Sequence, residues 1–406
     1  MKTRVFEVEE RTASRYFKRL EEFLGPDDID QKISQIEREL QIETGLYKQY
    51  WVLPKRSWWL GLRDAKYLIH QGRTFRRAIT PIMMPALQTA VKLSYMHSSI
   101  PEWKRKEFRS RILTDNILAP VLFEIDCAAH FFMSGYDIRW FEIPQEKGIR
   151  TPEFIAIGDQ TEIEVECKAK KADSGRRIER ATFYRLADTL IPVIQKKGLC
   201  GDIFLTIPAR LPHTISWQTE AAKVLGEQIK PGVTIITLPE GEQFRCELKP
   251  TNGSEILIQD LQKRISENST PYSHYALYSN RNNNILIDPI IFKLESEKKD
   301  AFLDDVLESL RDAEGQFTGK RAAIISCMVP EIDSFEGLQT NSAIQVMTYT
   351  FFERYARPFI NAVSYVSDAK REVQDNVILS DMPSLSFRSH KFDEKFGPPP
   401  PIYGKK

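Results

Sequence analysis

The chain has 406 residues, 42% of them hydrophobic and 28% charged, with a formal net charge of +1; a length above one average domain implies two or three folding units, each with its own core. No stretch approaches the roughly 18 uninterrupted apolar residues of a membrane span, and the start, MKTRVFEVEERT, lacks a signal-like apolar run, so a cytoplasmic protein with no membrane partner is expected. Five scattered cysteines without a C-x-x-C pair, and six histidines without an H-x-x-x-H pair, argue against structural zinc, an iron-sulfur cluster or a disulfide framework.

Residues 1–110 read as a helical, basic and aromatic-rich region. In Ile29–Gln41, Ile33, Ile36 and Leu40 recur at helical spacing, and Gly25, Pro26, Asp27 and Asp28 supply a turn and a helix start. Between Lys48 and Arg111 the lysines and arginines face only Asp64, Glu102 and Glu107, and Trp51, Trp58, Trp59, Tyr67, Phe75, Trp103 and Phe108 are interleaved with them. That pattern suits a nucleic-acid surface, with cations on phosphates and rings on bases. It suits equally the core of a helical domain with a basic outer face. Arg73, Arg76 and Arg77 are its candidate nucleic-acid contacts.

Residues 111–210 read as an α/β (α+β) core with a mixed sheet. A helix runs from a cap at Asp115 or Asn116 to about Met133 and ends at Gly135, with Glu124 on its flank. Strands follow at Tyr136–Ile143, Glu153–Ile157 and Thr161–Lys168, then a helix at Glu179–Lys197 and a strand at Cys200–Pro208. Residues 211–370 continue the α/β pattern or form a second domain. The pattern predicts helices at Trp217–Ile229, Ser254–Glu267, Asp304–Arg311 and Ala343–Phe359, with strands at Val233–Leu238, Arg321–Val329 and Asn361–Val366. Residues 371–406 turn polar, finish in GPPPPIYGKK and are expected to be flexible or extended.

The chemistry concentrates in TEIEVECK. At a strand's period of two, Ile163, Val165 and Cys167 face the core, while Glu162, Glu164, Glu166 and Lys168 share the other face. If that face is solvated, neighbouring carboxylates repel by only about 1 kcal/mol and the pattern is a half-exposed strand. If it lines a cleft, the repulsion rises to about 4 kcal/mol and a cation must offset it. Oxygen ligands without histidine or thiol clusters favour Mg²⁺ or Mn²⁺ over zinc.

Glu124 on a helix, Gly135-Tyr136-Asp137 opening a strand, Thr151-Pro152-Glu153-Phe154, and Glu166-Cys167-Lys168 together resemble the PD-(D/E)xK nuclease superfamily, the restriction-endonuclease-like fold. The resemblance covers about fifty residues, with Glu179–Pro208 continuing its topology. It implies metal-dependent hydrolysis of phosphodiester bonds in nucleic acid, with DNA the expected substrate. Glu153, Glu166 and the backbone carbonyl of Cys167 would be metal ligands, Lys168 would orient or deprotonate the attacking water, and Glu124 would tether a second metal or hold the first through water. The family most often has aspartate where this chain has Glu153, a shift of about an ångström that alters metal preference or rate. An inactive nuclease-fold protein that binds nucleic acid or assembles a complex is the alternative.

Lys170, Lys171, Arg176 and Arg177 lie just past the motif, placed to hold a nucleic-acid backbone, although a solvated charge run has the same appearance. Family analogy adds the effector of a bacterial defence or restriction system, acting with protein partners or as a homodimer. No heptad or apolar stripe marks an interface.

Overall fold

The computed structural model describes residues 10–71, 79–141, 151–159, 161–170, 173–251, 255–257, 259–260, 274–282, 285–329, 342–366, 370–374, 377–381 and 384–397. The protein is mixed α/β and divides into two compact units. Unit 1 comprises Met1–Arg38, Lys55–Ala172 and Leu303–Lys406, and unit 2 comprises Glu39–Pro54 and Asp173–Phe302. Among the described residues, no helix is long and apolar enough to cross a membrane.

Unit 1 begins with helices α1 (Glu10–Leu24), α2 (Pro26–Ile42), α3 (Leu53–His70), α4 (Met84–Tyr95), α5 (Glu102–Thr114) and α6 (Ala119–Met133). Trp58, Trp59 and Phe108 are almost fully buried, so these aromatics build a helical core, at about 1.5–3 kcal/mol for a fully buried large side chain. Helix α6 starts later than Asp115 because Pro120 occupies its first turn, a position that needs no amide donor. Its end is a Schellman turn: the amide of Gly135 bonds to Phe132 and that of Tyr136 to Phe131, with Gly135 at φ 90°. The turn delivers the chain into strand β1 (Asp137–Trp140).

Strands β2 (Phe154–Ile157) and β3 (Glu162–Ala169) continue the sheet, antiparallel to one another, with Phe154 opposite Val165. Helix α7 (Arg180–Lys196) and strand β4 (Gly201–Ile207) match the expected boundaries but not the expected sheet. Both belong to unit 2, where β4 pairs with β6 (Gln243–Pro250) and β9 (Ile285–Ser296). That sheet also holds β5 (Ile235–Thr237), β7 (Glu255–Leu257) and β8 (His274–Asn282). Glu255–Leu257 is a strand where a helix was expected, and the rest of that expected helix falls largely outside the described residues. Helix α8 (Ile215–Gln228) packs on α7, and unit 2 has its own core, in which the Phe183 and Phe292 rings stack 5.5 Å apart.

After helix α9 (Phe302–Glu314) the chain supplies β10 (Ala322–Met328), the real parallel partner of β3, with Ile325 opposite Glu166 and Cys327 opposite Lys168. The strand AAIISCM is buried along nearly its whole length, as a central parallel strand must be. Helix α10 (Ser342–Arg354) leads to β11 (Ile360–Val366), parallel to β10. The tail, expected to be flexible or extended, is in part extended strand: β12 (Lys370–Gln374) pairs with β13 (Val377–Asp381), and β14 (Ser384–Arg388) closes the first sheet beside β11. Ser364 and Ser386 bond across that last pair at 2.7 Å, a polar link that composition alone does not reveal. The first sheet thus has the order β1-β2-β3-β10-β11-β14.

Candidate active site

Three carboxylates and two ammonium groups meet near the exposed end of the β2–β3 ladder, all within unit 1. Glu124 on α6 is 1% exposed, and a buried carboxylate requires a counter-charge. Lys104 Nζ lies 2.6 Å from its Oε1 and Arg111 Nη1 lies 2.6 Å from its Oε2. Lys104, Glu107 and Arg111 share one face of α5 by their three- and four-residue spacing, and Glu107 takes second contacts from Lys104 at 3.1 Å and Arg111 at 3.0 Å. Lys104 is 3% exposed, its ammonium 4.8 Å from the centre of the Phe108 ring and 5.2 Å from that of Trp140. Burial works to discharge Lys104, but Glu124 and Glu107 outweigh it and raise its pKa.

Glu153 immediately precedes β2, and its amide donates to the Val165 carbonyl at 3.1 Å. Since Phe154 pairs with Val165, the next pair sets Glu153 across from Glu166, and like charges so placed repel. Burial, then the carboxylates of Glu124 and Glu166, push Glu153 up to about 8. Glu166, 2% exposed, is pushed up to about 7 by burial, against the pull of Lys168, whose Nζ is 2.8 Å from its Oε1.

Gln316, just past α9, closes this group. With its amide oriented to satisfy both neighbours, it donates to the Glu166 oxygens at 2.6 and 2.9 Å and accepts from Lys168 Nζ at 2.8 Å. The next carboxylate on the same face, Glu164, is fully buried and committed: it accepts from the Thr318 amide at 2.8 Å, the Thr318 hydroxyl, and Arg321 at 3.3 Å. The acidic face of β3 is therefore covered at Glu164 and Glu166, and the solvated-strand alternative does not describe it. Cys167 turns the other way. Its thiol meets Cys127 of α6, and burial together with that neighbour raises its pKa well above the usual thiol value.

The structure thus brings Glu124, Glu153, Glu166 and Lys168 together. Lys104, Arg111 and Gln316 complete the cluster, and sequence reasoning missed them. The first two were counted in a basic stripe because their partner, Glu124, lies outside the stretch over which the charges were compared. The only trace of Gln316 is a short segment, QFTGKR from Gln316 to Arg321, polar apart from Phe317 and Gly319, ahead of a strongly apolar strand.

Whether these residues suit a divalent cation can be judged from the donors. Glu153 and Glu166 offer carboxylate oxygens in a buried setting that favours their protonated forms, burial being the main cause, so a cation there would offset the cost of ionising them. The Val165 carbonyl points toward the β2 edge, so the Cys167 carbonyl, two residues on, points to the same edge beyond the last β2 pair. Among the described residues, no three His, Cys, Asp or Glu side chains are grouped to hold a metal. Mg²⁺ ordinarily takes only one or two carboxylates and keeps several waters, so Glu153, Glu166 and one carbonyl are a fitting set.

The basic residues expected to grip nucleic acid divide differently. Arg73, Arg76, Arg77 and Lys171 lie outside the described residues. Lys170 approaches Asp305 at 3.6 Å. Arg176 and Arg177 belong to unit 2, where Arg177 bonds to the Lys299 carbonyl at 3.2 Å and, through its amide, to Asp300 at 2.7 Å. Much of the Lys48–Arg111 stripe is paired with distant acids: Arg63 with Glu37, Lys66 with Glu21 and Asp30, Lys92 with Asp126, and Arg109 with Asp28. The buried Trp58, Trp59 and Phe108 fit the helical-core reading of that stripe.

No protein-family model matches this chain, and neither does any curated protein or solved structure.

Proposed function

We propose that this protein is a metal-dependent nuclease of the PD-(D/E)xK type, hydrolysing phosphodiester bonds in DNA, with a restriction-endonuclease-like core built on α6, β1, β2, β3 and β10. The observation that carries the reading is the meeting of Glu153, Glu166 and Lys168 at one end of the ladder, with Glu124 behind them. Glu153, Glu166 and the Cys167 carbonyl would hold Mg²⁺ or Mn²⁺. When bound, the ion supplies charge stabilisation at the phosphoryl oxygens and a more acidic water.

The chain's own residues divide the remaining work. Lys168, fixed between Glu166 and Gln316, is placed to orient the attacking water and to face the charge that builds on the phosphate. Burial favours the protonated form of Glu153 and, less strongly, of Glu166 in the metal-free protein, and such protons must leave before an ion can bind. Glu124, already paired with Lys104 and Arg111, adds to the burial that keeps Glu153 protonated rather than serving as a direct ligand.

The test is cleavage of linear, circular and single-stranded DNA and of RNA with Mg²⁺ or Mn²⁺. Activity on DNA that disappears in folded Glu166→Ala and Lys168→Ala variants supports the proposal, and cleavage retained in both sinks it. One observation favours a second reading, a nuclease-fold protein without turnover: the commitment of Glu124 to two cations. Salt-sensitive binding of nucleic acid with no cleavage under either metal would select that reading.

A further inference from the structure

Helix α5 has a second occupied face. Opposite Lys104 and Arg111 it lines a cavity of about 630 Å³ bounded also by α1 and α4, within the size range of small-molecule sites. Four cations line it, Arg19, Arg105, Lys106 and Arg109, against the carboxylates Glu22 and Glu102. Glu102 is shared, 3.0 Å from Arg105 and 3.8 Å from Lys106, and Arg109 is held by Asp28 and by the Leu24 carbonyl at 2.9 Å. Arg105, its side chain 29% exposed, also meets His97 Nε2 through Nη1 at 3.0 Å, so its fork already spans two partners on the cavity wall. Tyr95, 48% exposed, stands at the rim.

We infer that this cavity binds a small polyphosphate anion, such as a nucleoside triphosphate, at a site separate from the acidic cluster. Planar arginine forks match phosphate oxygens two at a time. The cavity holds two arginines and a lysine on one turn and a half of α5, with Arg19 contributed by α1. A base on the same ligand has the Tyr95 ring to stack against. Because α5 also carries Lys104 and Arg111 to Glu124, an anion that draws Arg105 and Lys106 inward acts on the helix that neutralises the acidic cluster.

The inference is tested by calorimetric titration of the full chain, in metal-free buffer, with ATP and with inorganic triphosphate. Binding of either to the wild-type chain, weakened at least tenfold in an Arg19→Gln/Lys106→Gln variant whose melting temperature is unchanged, is the expected result. Equal affinity for the two identifies the phosphates as the recognised group, and tighter ATP places the base on Tyr95. No heat with either anion overturns the inference, as does an unchanged affinity in the double variant. A Glu166→Ala variant should bind as the wild type does. Loss there would place the anion at the acidic cluster and equally overturn the second site, while leaving the nuclease proposal to its own cleavage assay.

Discussion

Lys104 and Glu124 form a buried ion pair, 2.6 Å between Nζ and Oε1, with each side chain less than 5% exposed. Breaking such a pair from one side leaves an uncompensated charge, at about 3–5 kcal/mol. Lys104→Met should therefore destabilise the protein by about that much in urea denaturation, and a second change, Glu124→Leu, should recover most of the loss. A single variant as stable as the wild type would mean that the pair is not needed to neutralise Glu124.

Glu153 and Glu166, at about 8 and about 7 in the folded protein, stand well above the roughly 4.3 of an unfolded glutamate. Both are raised, so the folded state holds the extra protons. The stability they contribute is complete below the unfolded value and is lost as pH rises toward 8. In metal-free buffer the denaturation midpoint should fall between about pH 5 and pH 8, and Glu153→Gln should flatten the slope. A midpoint that climbs over that window would contradict the assigned direction.

Adding Mg²⁺ or Mn²⁺ should oppose that loss. An ion bound to the deprotonated carboxylates stabilises only the folded chain, by about 2.7 kcal/mol at a hundredfold excess over Kd. The increase in melting temperature should be larger at pH 8 than at pH 5.5 and absent in Glu166→Ala.

Gln316 touches both Glu166 and Lys168 but supplies neither charge nor ligand. Loss of an orienting partner of this kind typically costs 10–100-fold in activity or metal affinity. Gln316→Leu should lower the DNA cleavage rate by at least about tenfold and move the pH profile, because the Lys168–Glu166 pair loses a shared partner. Gln316→Asn, too short to reach both, should rescue little.

Thr318 is a simpler case. Its hydroxyl and amide both satisfy Glu164. Thr318→Val removes one of those bonds to a fully buried carboxylate, and a loss of about 1–3 kcal/mol is expected by denaturation, with the cleavage rate per folded molecule preserved.

Local pattern carried the strand TEIEVECK and the helix holding Glu124, because alternation and a glycine stop act within a few residues. It could not carry pairing. Both DIFLTI at Asp202–Ile207 and AAIISCM at Ala322–Met328 are apolar strands that follow helices, and nothing local tells which one lies beside β3. The nearer was expected to continue the same core, whereas the farther is the one that pairs with β3. The same limit hid the partners of the basic stripe: Lys92 and Asp126 are 34 positions apart and touch only once α4 and α6 have packed. Tail composition likewise gave no pairing: polar residues such as Ser384 and Ser386 form an edge strand, where one side of the ladder is free of core demands.

The late arrival of β10 has a consequence for biosynthesis. Strand β3 ends at Ala169 and its parallel neighbour begins at Ala322, with Asp173–Phe302, the larger segment of unit 2, encoded between them. At synthesis rates of roughly 5–20 residues per second, the ribosome spends on the order of ten seconds or more between the two. During that interval Glu164 and Glu166 have no Thr318, Arg321 or Gln316 to meet. The nascent chain therefore passes through a stage in which unit 2 is ready to fold while the acidic strand waits. The contacts of Glu164 and Glu166 are complete only after Arg321 has emerged.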